Sequence, residues 1–176
     1  MIGGEFRSRR LKTIPGLETR PTPDRLRESL FNVLAPRIRD CVFLDAYAGT
    51  GAVGIEALSR GARRAIFVER NPAAVAVIRE NLAALGMENR AEVYTSKALP
   101  VLERVSADIV FLDPPYERED EYDSALTILG GAENELVIVQ HSSRVALKPE
   151  YGHLHRYREL KQGDNMLSFY ARAASS

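Results

Sequence analysis

The stretch that decides the fold is "LDAYAGTGAVG", residues 44–54. It places Gly49, Gly51 and Gly54 in G-x-G-x-x-G spacing, directly behind a short apolar run. Glycine allows the backbone to turn tightly and to approach a ligand closely, so this spacing between a strand and a helix is typical of nucleotide-binding loops. The spacing fits a dinucleotide-binding fold as well, and a glycine turn that serves only packing is the structural alternative.

Strands and helices alternate around this loop. Apolar runs predict five strands, at residues 41–48, 64–70, 91–96, 107–113 and 135–142. Helical patterns separate them, and the longest, 71–86, opens with Asn71 as its N-cap and Pro72 at its first position. Apolar strands separated by helices of this length indicate a doubly wound α/β domain with a mainly parallel sheet covered on both faces.

The two ends of the chain depart from this alternation. "TPDRLRESLFNVLAPRI" predicts a helix with Thr22 as N-cap, Pro23 at the first position and Pro36 at its end. "HLHRYREL" and "MLSFYARA" flank the turn cluster "KQGDN" and predict an antiparallel hairpin that closes the sheet edge. We therefore divide the chain into a basic N-terminal arm or hairpin, residues 1–20, and a single domain, residues 21–176.

Composition excludes several classes of protein. Hydrophobic residues make up 45% and charged residues 27% of the chain, which is ordinary for a globular protein. One cysteine excludes an internal disulfide, and the three histidines lack zinc-ligand spacing, so we expect no metal. No apolar run has the length of a membrane span, and the N-terminus lacks the apolar core of a secretory signal. A cytoplasmic protein without a membrane partner is the default expectation.

Charge is unevenly distributed, although the net charge of the chain is zero. Residues 1–27 hold seven basic and three acidic groups, so this segment carries +4 and the remainder carries −4. A basic arm on a mildly acidic body suggests an anionic partner that is engaged locally. A solvated tail without a partner is the alternative interpretation.

Two carboxylates indicate what the glycine loop binds. Glu69 ends the next predicted strand, eighteen residues past Gly51, where it can accept hydrogen bonds from ribose hydroxyls. Asp45 stands just before the loop, where its charge repels a pyrophosphate and attracts a cation. S-adenosylmethionine has a sulfonium and an ammonium but no phosphate, so we expect Asp45 to take up its amino acid end, directly or through water. The chain has no "GK[ST]" motif and no Ser or Cys nucleophile motif, which disfavours kinases and hydrolases.

The stretch "FLDPPY", residues 111–116, ends a strand with a rigid, acidic and aromatic corner. It resembles the [DNS]-P-P-[YFW] motif of methyltransferases that act on exocyclic amines of nucleobases. Such an amine is a poor nucleophile, and acceptors on its two N–H bonds localise its lone pair. The Asp113 side chain and the Pro114 carbonyl could be those acceptors, while Tyr116 could stack on the base. An NAD-dependent oxidoreductase would leave this corner without a role, and in a non-catalytic binding module we would expect the corner or Glu69 to be degraded.

A longer resemblance identifies the chain as similar to the RsmD family. It rests on "GGEFRSRRL" near the start, "RPTPDRLRESLFNVL" at 20–34, "DAYAGTGAVGIEALSRGA" at 45–62, "FVERNPAAVAVIRENL" and "FLDPPY". The resemblance implies a Rossmann-like class I methyltransferase with a seven-stranded sheet. It also implies S-adenosylmethionine-dependent methylation of guanine N2 in small-subunit (16S) ribosomal RNA, free or in an assembled subunit, by a monomeric enzyme. N6-adenine methylation of DNA or RNA is the rival, because "DPPY" occurs in that class too.

The resemblance also implies roles for individual residues. The expected catalytic residues are Asp113, Pro114, Pro115 and Tyr116. The expected cofactor-binding residues are Asp45, Ala48, Gly49, Thr50, Gly51, Glu69, Arg70, Ser96, Lys97 and Ala98. The expected RNA-binding residues are Arg7, Arg9, Arg10, Lys12, Arg20, Thr22, Arg25 and Arg27.

Two positions depart from the family pattern. Lys97 stands where the family usually has an acidic or amide residue that contacts the cofactor adenine, and an ammonium group cannot accept a hydrogen bond from the adenine amine. We expect Ser96 or a backbone group to make that contact instead. Gln140, in "VQH", stands where the family more commonly has a glutamate.

Overall fold

We describe a computed structural model of the chain, covering residues 1, 3–14, 23–115 and 119–172. Five helices lie in these ranges: α1 (Asp24–Ile38), α2 (Ala52–Ser59), α3 (Pro72–Ala84), α4 (Ala98–Leu102) and α5 (Glu119–Gly130). The strands are β1 (Val42–Asp45), β2 (Arg64–Glu69), β3 (Ala91–Thr95), β4 (Ile109–Leu112), β5 (Leu136–Ser142), β6 (Glu150–Tyr151), β7 (Leu154–Gln162) and β8 (Asn165–Arg172). None of these helices has both the length and the apolar character that crossing a membrane requires.

The strands form one sheet in the order β3-β2-β1-β4-β5-β8-β7-β6. β1 to β5 are parallel, whereas β8 pairs antiparallel with both β5 and β7. The predicted doubly wound α/β fold with an antiparallel C-terminal hairpin is therefore confirmed. The sheet has eight strands among the described residues rather than the seven expected, because the two-residue β6 adds to the outer edge of β7.

Helices cover both faces of the parallel strands, so the strands are apolar on both sides. Alternate residues of β1 and β4, such as Phe43 and Phe111, pack with α1, α2 and α3 in one buried cluster. Their neighbours, such as Leu44 and Leu112, pack with α4 and α5 in the other. This double burial is why β4 appears in the sequence as an unbroken apolar run.

The predicted helix ends are partly correct. Asn71 caps α3 as expected, because its Oδ1 accepts hydrogen bonds from the backbone N–H of Ala73 at 2.9 Å and of Ala74 at 3.4 Å. At α1, Pro23 is the N-cap residue rather than the first helical residue. The expectation that Pro36 ends this helix is wrong, since the helix continues to the buried Ile38. A proline near the last turn removes one helical hydrogen bond, and burial of Ile38 offsets that loss.

The described residues at the N-terminus form turns and no strand. They lie on α2, where the Gly3 N–H donates to Glu56 Oε2 at 2.9 Å and the Phe6 N–H donates to Ser59 Oγ at 3.0 Å. Of the two forms that the sequence left open for this segment, these residues do not adopt the hairpin. The division of the chain at residue 20 stays a prediction, since residues 15–22 lie outside the described ranges.

Candidate active site

The candidate site lies where the order of the parallel strands reverses. β1 and β4 are neighbours in the centre of the sheet, while β2 and β3 extend to one side and β5 to the other. Asp45 pairs with Phe111 in register, so the residues after both strands meet at one edge. A reversal of this kind opens a crevice at the carboxyl ends of the strands, where α/β proteins bind their ligands. The glycine loop follows β1, and the Asp113–Pro115 corner follows β4.

Backbone geometry explains the glycines of the loop. Gly49 and Gly51 have φ of 58° and 90°, in the left-handed region that side chains disfavour. Gly51 precedes α2 directly, and a Cβ there would stand 3.3 Å from side-chain atoms of Ile55 and Ile78. At Gly54 a Cβ would come within 2.4 Å of the Phe67 ring, because α2 packs tightly on β2. Two glycines therefore shape the turn, and the third allows the helix to contact the sheet.

Glu69 connects the glycine loop to the N-cap of α3 through its two carboxylate oxygens. Its Oε1 accepts from the Gly49 N–H at 3.0 Å, and its Oε2 accepts from the Asn71 N–H at 2.8 Å. Each carboxylate oxygen has a second lone pair, so Glu69 can still accept a hydrogen bond from a ribose hydroxyl. The residue therefore connects the end of β2 to the loop and remains able to bind a ligand.

Asp45 is a buried carboxyl group, with 2% of its surface exposed. Its Oδ2 accepts from the Gly54 N–H, in the first turn of α2, at 3.0 Å. Burial raises the pKa of Asp45 to about 7; the Gly54 hydrogen bond opposes the rise, and the charge of Glu69 adds to it. A carboxylate that is ionised against such a desolvation cost is stabilised by a nearby cation. Asp45 thus suits the ammonium group of an amino acid ligand.

The residues after β3 form the third side of the crevice. The Ser96 N–H donates to the Glu69 carbonyl at 3.1 Å, which places Ser96 beside the carboxylate residue. The Ser96 hydroxyl donates to the Lys97 carbonyl at 2.8 Å, and its oxygen lone pairs can still accept a hydrogen bond. The Lys97 side chain is exposed, and Ala98 is buried at the start of α4. This arrangement favours Ser96 over Lys97 as the acceptor for an adenine amine.

The corner after β4 is held by its prolines. Asp113 is half-buried, Pro114 is buried and Pro115 is exposed, while Tyr116 lies outside the described residues. Because Pro114 fixes its own φ and the following Pro115 restricts the ψ of Pro114, the Pro114 carbonyl has a restricted direction. Asp113 and Pro114 can therefore present two acceptors from one rigid segment. The stacking role of Tyr116 stays a prediction.

The remaining expected cofactor residues follow the loop. Ala48 is buried, and its N–H donates to the Val68 carbonyl at 2.9 Å. The Thr50 carbonyl accepts from Asn81 Nδ2 at 3.2 Å. Arg70 is exposed, directly after β2. The structure thus brings the ends of β1, β2 and β3 together as the sequence predicted, and the role of each residue towards a cofactor stays a prediction.

Sequence reasoning missed a connection between the glycine loop and α5. The Tyr47 hydroxyl, in the glycine loop, donates to Glu121 Oε2 on α5 at 3.0 Å. Burial, followed by the charge of Glu121, raises the pKa of Tyr47, so the phenol stays protonated and remains a donor. The two residues are 74 positions apart, and no local pattern marks the pair.

A second feature that the sequence did not indicate is a buried histidine in β5. His141 pairs with Met166 of β8, and burial lowers the pKa of its imidazole. Its Nδ1 lies 2.9 Å from the Ser142 carbonyl, and its Nε2 lies 2.7 Å from Ser168 Oγ. Only a donor can pair with a carbonyl, so the neutral ring carries its hydrogen on Nδ1 and accepts from Ser168 at Nε2. His141 therefore supports the β5–β8 pairing.

The expected RNA-binding residues divide into two groups. Five have exposed side chains that a phosphate could reach: Arg7, Arg9, Arg10, Lys12 and Arg25. Arg27 is different, since its side chain is only 11% exposed and lies 2.9 Å from Asp24 and 3.8 Å from the buried Glu56. These contacts favour a structural role for Arg27. Arg20 and Thr22 lie outside the described residues.

The architecture and the crevice define a class of protein, the Rossmann-like methyltransferases that use S-adenosylmethionine. The structure of the Escherichia coli protein yhhF has a TM-score of 0.87 to this chain at 36% identity, covering 99% of this chain and 98% of that one. At 15% identity, an RNA methyltransferase from Salinibacter ruber, in complex with S-adenosyl-L-homocysteine, shares the fold with a TM-score of 0.68. The match covers 89% of this chain and 96% of the Salinibacter ruber chain. The predicted cofactor, S-adenosylmethionine, is confirmed at the level of this class.

The chain belongs to the family described as Conserved hypothetical protein 95, which matches residues 1–171. The Bacillus subtilis protein YlbH is 34% identical over 179 residues, 97% of each chain. Ribosomal RNA small subunit methyltransferase D of Escherichia coli is 45% identical over 120 residues, which are 67% of this chain and 60% of that enzyme. The match therefore spans less than two thirds of that enzyme, and it confirms the predicted membership of the RsmD family.

Proposed function

We propose that this protein methylates the exocyclic N2 amine of a guanine in small-subunit ribosomal RNA, with S-adenosylmethionine as methyl donor. The observation that supports it most directly is the meeting of two elements at one edge of the sheet. The loop held by Asp45 and Glu69 follows β1, and the acceptor corner at Asp113 follows the neighbouring β4. A methyl donor and an amine would thus be held side by side.

The residues of the crevice fit this cofactor. Glu69 would hold the ribose, Asp45 the ammonium group, and Ser96 the adenine amine. The left-handed backbone at Gly49 and Gly51 makes the tight turn that would bring the loop backbone close to the cofactor. S-adenosylmethionine supplies a methyl group on a positively charged sulfur, which is the electrophile of the reaction.

The corner would activate the amine. The guanine N2 lone pair is delocalised into the ring, so the amine needs acceptors on both of its N–H bonds. Asp113 and the Pro114 carbonyl would accept them, which would localise the lone pair towards the methyl group. Because the prolines fix the corner before the base arrives, no reorganisation is needed in the transition state. The amine loses one proton on methylation, and Asp113 is the carboxylate at hand to receive it.

The substrate is inferred from relatives and from charge. The Escherichia coli relative is named for its action on small-subunit ribosomal RNA. The exposed basic residues of the N-terminal segment can contact RNA phosphates, although such contacts do not read sequence. An adenine N6 amine would need the same acceptors, so the experiment has to distinguish the two bases.

The test is nucleoside mass spectrometry. Small ribosomal subunits from cells that lack this gene are incubated with the purified protein and S-adenosylmethionine, and the RNA is then digested. We expect about one additional N2-methylguanosine per RNA molecule, and Asp113→Ala protein to add none. N6-methyladenosine in its place would support the rival activity, and the absence of any methylated nucleoside would contradict the proposal.

A further inference from the structure

The N-terminal segment lies along α2 and α3, the two helices that follow the cofactor-binding strands. Its first described residues contact the end of α2 through Glu56 and Ser59. Further along, Arg9 Nη2 donates to the Ala84 carbonyl at 3.4 Å, and Lys12 Nζ lies 3.2 Å from Glu80 Oε2. Both of these contacts are with α3 and are exposed to solvent.

One buried side chain connects this segment to the glycine loop. Asn81, on α3, is 3% exposed. Its Oδ1 accepts from the Lys12 N–H at 2.8 Å, and its Nδ2 donates to the Lys12 carbonyl at 3.2 Å. The same Nδ2 donates to the Thr50 carbonyl at 3.2 Å. Thr50 lies between Gly49 and Gly51, in the loop that is expected to bind the cofactor.

The Asn81 amide keeps both of its N–H groups hydrogen-bonded only when the loop and the N-terminal segment are both in place. An asparagine amide has two N–H donors, and here one is directed to the loop and the other to the N-terminal segment. A buried donor that loses its partner is costly, because water cannot replace the bond. If either the loop or the segment moved away, an amide hydrogen of Asn81 would be left without a partner. The docked position of the N-terminal segment and the observed position of the glycine loop therefore stabilise each other.

We propose that Asn81 is a positioning residue that couples RNA binding by the N-terminal segment to cofactor binding by the glycine loop. The inference rests on the proposed function, since it takes RNA as the ligand of the segment. A cofactor that fixes the loop holds the Thr50 carbonyl in place, which favours the docked segment. The exposed Arg7, Arg9 and Arg10 are then presented to RNA from a fixed position.

Coupling of this kind is reciprocal, so it can be measured from either ligand. We expect saturating small-subunit ribosomal RNA to lower the Kd of S-adenosylhomocysteine by at least about fivefold, the low end of common allosteric couplings. Titration calorimetry with the full chain, with and without RNA, gives this ratio. S-adenosylhomocysteine is used so that no methyl transfer takes place during the titration.

Three variants test the role of Asn81. Asn81→Ala removes all three hydrogen bonds, and Lys12→Pro removes the N–H donor on the other side of the contact. Lys12→Ala is the matched control, because it removes the side-chain charge and keeps the backbone donor. We expect the ratio of Kd values to fall to about one in the first two variants, in the manner of an abolished coupling. It should stay above the Lys12→Pro value in Lys12→Ala, since both Lys12 variants lose the same side-chain charge and differ in the backbone donor.

A ratio of one in the wild-type protein would overturn the proposal. A wild-type ratio retained in Lys12→Pro would also overturn it, and this variant decides the matter if Asn81→Ala does not fold. Failure of the proposed function gives a different result. A protein that forms no N2-methylguanosine can still be titrated with both ligands, so the coupling is measured independently of the chemistry.

Discussion

The glycine loop and the corner at Asp113 lie at the same edge of the sheet, but different forces hold them. The loop is fixed by hydrogen bonds from its own backbone to Glu69 and Asp45, two residues that are also expected to bind the cofactor. The corner is fixed by two prolines, and Asp113 is expected to act on the substrate. Substitutions in the loop should therefore alter structure and binding together, whereas a substitution at Asp113 should alter only the reaction.

The largest expected effect is at the corner. Asp113→Ala should lower the rate of methyl transfer by about 10²–10³-fold, as found when one preorganised transition-state hydrogen bond is removed. The Kd of S-adenosylhomocysteine should stay within about twofold of wild type, because Asp113 is expected to act on the substrate amine rather than on the cofactor. The methyl-transfer rate and titration calorimetry with S-adenosylhomocysteine together check this prediction.

Asp164→Ala, in the exposed turn between β7 and β8, is the control and should leave both quantities unchanged. Near-normal turnover in Asp113→Ala would show that the corner has only a structural role.

The next effect is at the loop. Glu69→Gln replaces one carboxylate oxygen with an NH2 group that faces a backbone N–H, so either the hydrogen bond from Gly49 in the loop or the one from Asn71 is lost. We expect the Kd of S-adenosylhomocysteine to rise about 10- to 100-fold, in line with about 1.5–3 kcal/mol for a hydrogen bond to a charged group. The melting temperature should fall as well. Glu103→Gln, exposed after α4, is the matched control, and an unchanged Kd in Glu69→Gln would contradict a shared structural and binding role.

The third effect depends on pH and arises from Asp45. Burial raises the pKa of this carboxyl to about 7, so between about pH 4 and 7 the folded protein holds a proton that the unfolded chain has released. Stability should therefore fall as pH rises through this window and should show no further loss from this group above it. Cofactor affinity should rise over the upper part of the same window, because only the ionised carboxylate attracts the ammonium group.

Asp45→Asn isolates these contributions, since asparagine can still accept from the Gly54 N–H. We expect the variant to melt at a higher temperature than wild type near pH 8, and to bind S-adenosylhomocysteine about tenfold more weakly there, as for a lost charge-assisted hydrogen bond. The check is to measure melting temperature and Kd against pH for both proteins. If the wild-type and variant curves differ only by a constant offset, Asp45 does not titrate in this range.

The smallest effect concerns the hydrogen bond that joins the loop to α5, the helix that follows the corner in the chain. Tyr47→Phe removes the donor to Glu121 and keeps the ring, at a cost of about 0.5–1.5 kcal/mol. A few-fold loss in kcat/KM should follow, because the loop would no longer be held to α5. Tyr157→Phe changes an exposed ring and is the control. If both variants match wild type in turnover and in melting, the loop is positioned independently of this bond.

Much of the fold could be predicted because its signals are local. Asn71 and Pro72 mark the start of α3 within a few residues, and the glycines at 49, 51 and 54 mark the turn between β1 and α2. Pro36 misled the prediction, because its lost hydrogen bond is outweighed by the burial of Ile38, which depends on the folded core. The strand β6 has two residues and therefore no periodicity to detect.

The site likewise has residues that local sequence signals predict and contacts that they do not. Asp45, Glu69 and Asp113 were predicted because strand ends and motifs place them at one edge of a parallel sheet. The contacts that join the loop to α5 and the N-terminal segment to α3 were not predicted, since Tyr47 and Glu121 are 74 positions apart and Asn81 and Lys12 are 69 apart. Contacts between such distant residues arise from the packing of helices on the sheet, and a single sequence carries no local pattern for them.

A crystal structure with bound S-adenosylhomocysteine is the most direct test of the central claim, that the loop holds the methyl donor beside the acceptor corner. The account predicts that the ribose hydroxyls lie within hydrogen-bond distance of Glu69, at roughly 2.5–3.0 Å. The amino group should face Asp45, and the sulfur should be directed towards Asp113 and Pro114. A ligand whose ribose does not contact Glu69, or whose sulfur points away from the corner, would contradict it.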